Sequence, residues 1–496
     1  MLNNNNSVKP LPTEKAKKEK KKLFHVEKRF NMALWQSILI RFGFIIFAVF
    51  MGLLVLTMAY GINPFLSFGN LFKGTFGDLL SGNFDRLWEF LRDSALLLGV
   101  GLALIPAFKM KFWNLGGNGQ IAIGALVCLI MMVELGGNMP DIAVVLISVV
   151  ASVAAGAIWA AIPSIFKAFF DTNESLFTLM MNYIATGLVS VWIYWRFPGN
   201  SNVVPTQSNG RLPVLFNDKL LIIILIAALF VGILFYLKFS KHGYELSVVG
   251  ESVNTARYVG INSKKVIIRT LILSGALCGF VGFLIGSGVD YTITAETTHR
   301  GMGFTAIMAV WLGKFNPIVT IFTAMFITFI TKGMGQVQMA NSRYITDASA
   351  TSIVMGLIYL FVIASEFFIE YKIMYNKNGK ETDVLEIIGG FFKKVFGPVG
   401  RFFKKVFVPV GRFFAKVFIA IGRFFAKAFI AIGRFFKKLF RIKDKAKEKP
   451  AKKSIDDFDE ENQVSLDGAK QIAEPETSPS KKKATSGKKK SQKGSK

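Results

Sequence analysis

The chain has 496 residues, 52% of them hydrophobic, with a mean hydropathy of +0.43 and a formal net charge of +28. Repeated apolar runs near 20 residues match the thickness of a bilayer's hydrocarbon core, which excludes an ordinary soluble protein and indicates an all-α polytopic membrane protein. The positive charge lies outside those runs, in Lys15 to Arg29 and after Tyr371, and basic flanks of this kind belong on the cytoplasmic side.

In chain order, a basic segment (1–31) precedes a transmembrane domain (32–372). The first apolar run, Phe42 to Ile62, is longer than a signal-peptide core and shows no small-residue cleavage pattern, so it is expected to be retained as an anchor. Uncharged stretches predict about ten crossings: 42–62, 94–108, 112–133, 142–166, 175–195, 220–237, 267–289, 301–313, 315–331 and 348–369. With the N-terminus inside, the loop 238–265 and both tails fall on the inner side and carry most of its Lys and Arg, which predicts cytoplasmic termini. Lys332 is expected in an outer loop, and 301–313 either crosses or re-enters.

None of these spans has an Asp, Glu, Lys, Arg or His in its central apolar stretch; Arg41 and Glu366 sit near cytoplasmic ends. A proton-coupled carrier needs a titratable group inside the membrane, so a secondary carrier is disfavoured. The chain has no G-x-x-x-x-G-K-[ST] or H-E-x-x-H motif, and its three histidines, His25, His242 and His299, lie outside the spans. Enzymatic readings therefore fare poorly. The two cysteines, Cys128 and Cys278, fall within apolar runs and read as packing residues.

Polar motifs interrupt the runs. Asn114, Asn118 and Gln120, among three glycines, open the third span, where they could line a solute path or cap and pack a helix. Asp171-Thr172-Asn173-Glu174 fits a helix N-cap before the fifth span. Asn182 and Tyr183 lie inside that span, where interhelical hydrogen bonding and solute contact are both open. The outer loop Pro198 to Pro213 reads as a connector. Gly301-Met302-Gly303-Phe304 opens a short span that is either a broken helix on a path or a tight packing point.

The loop Lys238 to Lys265 is the longest charged interruption. Its centre, Glu251 to Val259, reads as one short amphipathic helix between Gly250 and Gly260, with Val253, Ala256 and Val259 near one face. A helix of that kind invites a docking partner.

Several segments together resemble the permease subunits of ABC importers of the branched-chain amino acid and ribose type, nearest the nucleoside permeases that work with basic-membrane-protein lipoproteins. They are FWNLGGNGQ (112–120), Asn173-Glu174 with LMMNYI (179–184), GYELSVVGESVNTARYVGI (243–261), SGALCG (274–279) and GMGFTAIMAVWLGKFNP (301–317). The resemblance covers roughly residues 30–372. It implies a non-catalytic transport subunit in the cytoplasmic membrane of a bacterium, with no cofactor of its own, ATP being used by a partner ATPase. It further implies a second permease subunit, an extracellular substrate-binding lipoprotein, and a path for a nucleoside or related small polar solute. A sugar or branched-chain amino acid is the alternative cargo. By the same analogy Glu245, Gly250, Glu251, Ala256, Arg257 and Gly260 form the ATPase-coupling element, and Asn114, Asn118, Gln120, Asn182, Tyr183 and Phe304 the substrate path. The family pattern carries a glutamate where this chain has Asn118, and an acidic residue is common where it has Thr305; both departures weaken a transfer of nucleoside specificity.

After Tyr371 an 11-residue repeat runs from Gly389 to Lys443 (GRFFKKVFVPV and variants), close to three helical turns per repeat. Phenylalanines fall on one side and Lys and Arg on the other, which predicts a basic amphipathic helix lying on membrane lipids, or alternatively a helical bundle. A Lys-rich tail (444–496) is expected to be disordered, and no nucleic-acid partner is expected. A membrane scaffold acting through this repeat is the rival to the transport reading.

Overall fold

The computed structural model describes residues 24–29, 34–77, 79–199, 203–294, 301–345, 349–377 and 380–383. The amphipathic repeat, the Lys-rich tail and most of the basic N-terminal segment lie outside the described residues.

Among the described residues nine helices are long and apolar enough to cross a membrane. In chain order the helices are α1 (Leu34–Tyr60), α2 (Pro64–Phe76), α3 (Asp85–Lys109), α4 (Gly117–Leu135), α5 (Asp141–Phe170), α6 (Glu174–Arg196) and α7 (Leu220–Phe239). They continue with α8 (Lys241–Glu251), α9 (Val253–Tyr258), α10 (Ser263–Ile285), α11 (Met302–Leu312), α12 (Pro317–Ala340) and α13 (Ser349–Glu370). Every predicted run falls on a helix, and the all-α membrane architecture follows. Helix α2 was not among the predicted elements; at 13 residues it is too short to cross.

Asparagines start many of these helices by accepting backbone N–H bonds. Asn63 opens α2, Asn262 opens α10, Asn316 opens α12 ahead of Pro317, and Asn173 caps α6 through the Leu176 amide at 3.1 Å, as the Asp171–Glu174 stretch predicts.

The core is built on α10, which packs against α5, α4 and α3. At its crossing with α5, Gly275 and Gly279 meet Gly156 and Ser152, and a Cβ on Gly156 would stand 2.3 Å from the Gly275 carbonyl oxygen. Small residues allow this approach, which in lipid supplies packing that hydrophobicity alone cannot.

The eighth predicted crossing is a half-helix. Thr292 bonds the Val204 carbonyl at the end that holds the 203–212 loop, whereas Lys314, just past α11, reaches Glu366 at the opposite end. Thus α1 begins and α13 ends on the same face as α8 and α9. There Arg41 binds Glu366 at 2.6 Å, and β1 (Phe24–Lys28) pairs antiparallel with β2 (Tyr371–Lys377), which in turn pairs with β3 (Lys380–Asp383).

One feature differs from the charge expectation. Helices α3 and α12 continue beyond their uncharged stretches, so Lys332 lies within α12 rather than in a loop, 2.8 Å from Asp93 and 3.2 Å from Glu89 of α3. Neutralising partners make such charges tolerable near the membrane boundary.

Candidate functional site

Two regions carry the polar and charged residues singled out in the sequence, and a buried seam joins them.

The first is the α8–α9 end. The chain here forms two helices rather than one, because Ser252 is extended and its hydroxyl accepts the Thr255 amide at 3.2 Å, ending α8 and starting α9. The expected apolar face is split. Ala256 is fully buried, against Ala107, Met110, Phe112, Leu246, Val249, Val266 and Leu271, so it anchors α9 instead of facing a partner. Glu251, Arg257 and Gly260 are exposed, and so are Val253 and Val259.

Gly250 is buried at a close approach: a Cβ there would lie 2.1 Å from the Lys109 carbonyl oxygen, so only glycine lets α8 seat on the end of α3. Glu245 accepts a 2.8 Å bond from Arg269 of α10, and that bond holds its carboxyl below the usual carboxylate range. Of the six predicted coupling residues, three face outward and three attach the element to α3 and α10. Sequence reasoning passed over Tyr258, 92% exposed, and Tyr244, 64% exposed. Their signal was available: two tyrosines in a charged loop. At the α8–α9 junction a cavity of about 270 Å³ is bounded by Lys111, Lys167, Glu174, Gly250, Glu251 and Ser252.

The second region is the turn between α3 and α4. Asn114, Asn118, Gln120 and Asn182 are all buried and bonded. The Asn114 amide donates to Ser274 at 3.2 Å and exchanges bonds with Gln120, while its carbonyl accepts the Gly116 amide. Asn182 of α6 accepts the Gly119 amide at 2.7 Å and donates to the Leu115 carbonyl at 2.9 Å. Thr178 accepts the Leu115 amide. These amides therefore satisfy a non-helical backbone turn inside the bundle.

Asn118 does something further. Its carbonyl accepts the Gly303 amide at 2.7 Å, capping α11 from another helix, and a Cβ on Gly303 would collide with Asn118 at 2.5 Å. The first turns of α4 and α11 thus meet, two positive helix ends together.

Two predicted path residues face away from this network and outward from the protein. Tyr183 is 69% and Phe304 42% exposed, each next in sequence to a residue that bonds the α4 turn or abuts it. Tyr183 lies nine residues into α6, roughly 13 Å from its start. A phenol at that depth needs a polar neighbour or a solute.

At the opposite end the 203–212 loop is more than a connector. Val204, Gln207 and Leu212 donate backbone bonds to Ile293, Tyr291 and Ser287, and the Arg211 guanidinium lies 4.3 Å from the Tyr291 ring centre. The loop is fastened onto the π-helical turn Gly286–Asp290 that ends α10.

Comparison with known proteins gives these features a context. The chain is 26% identical to a glucose ABC transporter permease of Haloferax volcanii over 345 residues, 66% of this chain and 88% of the relative. It is 26% identical to a nucleoside ABC transporter permease of Lactococcus lactis subsp. cremoris (60% of this chain, 82% of the relative). A guanosine ABC transporter permease of Bacillus subtilis is 25% identical (63% and 89%). No solved structure matches. Residues 87–363, which hold both the α8–α9 element and the α4 turn, match the family described as branched-chain amino acid transport system / permease component, and the chain belongs to that family.

Proposed function

We propose that this chain forms the membrane path of an ATP-driven importer for a nucleoside or a related small polar solute, with a separate ATPase docking on α8 and α9. The observation that carries the reading is the buried seam between those helices and the α4 turn. Phe112 packs with Val249 and Ala256, and two residues later Asn114 begins the network that reaches Gly303. A push on α9 therefore reaches the first turns of α4 and α11 through contiguous packed groups.

On this reading Tyr258, Val259, Arg257 and Glu251 meet the ATPase, and the chain itself hydrolyses nothing and binds no cofactor. Tyr183 and Phe304 flank the path and offer aromatic faces to a nucleobase. Asn114, Asn118, Gln120 and Asn182 shape its wall and hold it rigid. A second permease subunit completes the path, and an external binding protein delivers solute to the 203–212 loop. Cytoplasmic termini agree with this arrangement, since they place α8 and α9 where ATP is.

Two relatives named for nucleoside or guanosine transport support the cargo. The glucose permease favours a sugar as the second reading. Uptake of radiolabelled guanosine by cells producing this chain and its ATPase separates them. Saturable uptake, competed by uridine and abolished by an ATPase-dead partner, is expected. No guanosine uptake, together with saturable ATPase-dependent uptake of radiolabelled glucose, would establish the sugar reading, and uptake that persists without ATP hydrolysis would remove the importer reading altogether.

A further inference from the structure

Helices α1 and α13 form an antiparallel pair, joined by the Arg41–Glu366 bond and by ring contacts Phe44–Phe368 and Phe47–Phe361 at 5.2 and 5.1 Å. The pair meets the rest of the bundle chiefly through α12 and α2. Between α13 and the α11–α12 unit it leaves a crevice of about 490 Å³, walled by Trp311, Phe315, Phe326, Ile358 and Val362. Such a volume suits one small ligand, within the ~300–1,000 Å³ common for ligand pockets. Apolar walls in a bilayer lose their dispersion contacts if the space stays empty, so hydrocarbon is the occupant they favour.

The mouth is not apolar. Lys314, Glu366, Glu370 and Tyr371 border it, on the face shared with α8 and α9, at headgroup level. Glu366 is already held by Arg41 at 2.6 Å, and Lys314 stands farther off at 3.7 Å and is 57% exposed. The mouth therefore offers both signs, an ammonium from Lys314 and an exposed carboxylate from Glu370. Arg41 neutralises Glu366, so a purely anionic headgroup on Lys314 would still meet repulsion from Glu370, whereas one bearing phosphate and ammonium meets a partner for each.

We propose that this crevice holds one acyl chain of a zwitterionic phospholipid of the ethanolamine class, its phosphate on Lys314 and its ammonium on Glu370. The lipid fills the seam between the α1–α13 pair and the core and ties the pair to the leaflet on the α8–α9 side.

The test uses the full chain in nanodiscs of equal parts phosphatidylethanolamine and phosphatidylglycerol, with either one carrying dibrominated acyl chains. The fluorescence of Trp311 is isolated as the difference between the native protein and Trp311→Phe. Brominated phosphatidylethanolamine is expected to quench that component at least twofold more than brominated phosphatidylglycerol. Lys314→Glu, at an exposed position, removes the preference, and Val362→Phe, which fills the crevice, lowers quenching by the brominated ethanolamine lipid. Equal quenching by the two lipids would mean contact with bulk bilayer only and would overturn the site. Stronger quenching by aqueous iodide would show a water-filled crevice and overturn it as well.

Discussion

Ala256 and Arg257 are neighbours in sequence and opposites in exposure, and that contrast decides what each substitution tests. Arg257→Glu and Tyr258→Ala change a surface that nothing among the described residues covers, so membrane insertion and thermal stability should be unchanged while uptake falls about tenfold, the equivalent of ~1.4 kcal/mol of lost docking. Ala256→Trp acts differently. It overpacks a buried contact, which costs about 1–3 kcal/mol, and should lower the thermal midpoint of the detergent-solubilised protein as well as uptake. If Ala256→Trp left stability untouched, its burial would be wrong. Glu245 adds a pH signature. Its carboxyl titrates below its usual value of 4.5 in the folded chain, so the bond to Arg269 stabilises above that value and is lost as pH falls through the lower folded one. The stability gap between the native protein and Glu245→Gln should therefore stay constant over roughly pH 6–8 and shrink only in acid, as thermal unfolding across pH would report.

At the scale of elements, α11 depends on a residue far from it in sequence. Asn118→Leu removes the acceptor for the buried Gly303 amide, leaving it unpaired at a cost of about 1–3 kcal/mol. Increased amide hydrogen exchange in residues 302–306, with exchange in α8 unchanged, is the expected outcome; unchanged exchange there would mean that α11 needs no such cap. On the other side of the bundle, Lys332→Met removes one of two cations on the part-buried Asp93, which keeps Arg92 at 2.9 Å, and leaves the exposed Glu89 to solvent. Losing that contact costs about 1–3 kcal/mol and should lower the thermal midpoint of the detergent-solubilised protein; an unchanged midpoint would mean that Arg92 alone satisfies Asp93. Both contacts were hidden in the sequence for the same reason. Uncharged windows report where a helix must be apolar, not how far it continues, and they give no information on which helix lies opposite.

At the scale of the whole molecule, the transport and scaffold readings diverge in their dependence on residues 389–496. If the α8–α9 element and the α4 turn carry the function, deleting that region leaves uptake within about twofold of the full chain. Loss of uptake despite normal membrane levels would favour the scaffold.

Composition and periodicity alone determined that the chain lies in a membrane, placed each apolar run on a helix, and located the cap at Asn173. They could do so because the bilayer imposes a length and a polarity on every segment that enters it. They marked Asn114, Asn118, Gln120 and Asn182 as important without showing whether these amides bond solute or backbone. Only the tertiary structure decided that Asn114, Asn118 and Asn182 bond backbone while Gln120 bonds Asn114, that Tyr183 and Phe304 face outward, and that Ala256 faces inward. Lipid-facing and helix-facing surfaces are both apolar, so hydrophobicity fixes a residue's depth in the bilayer while its direction depends on which helix packs beside it.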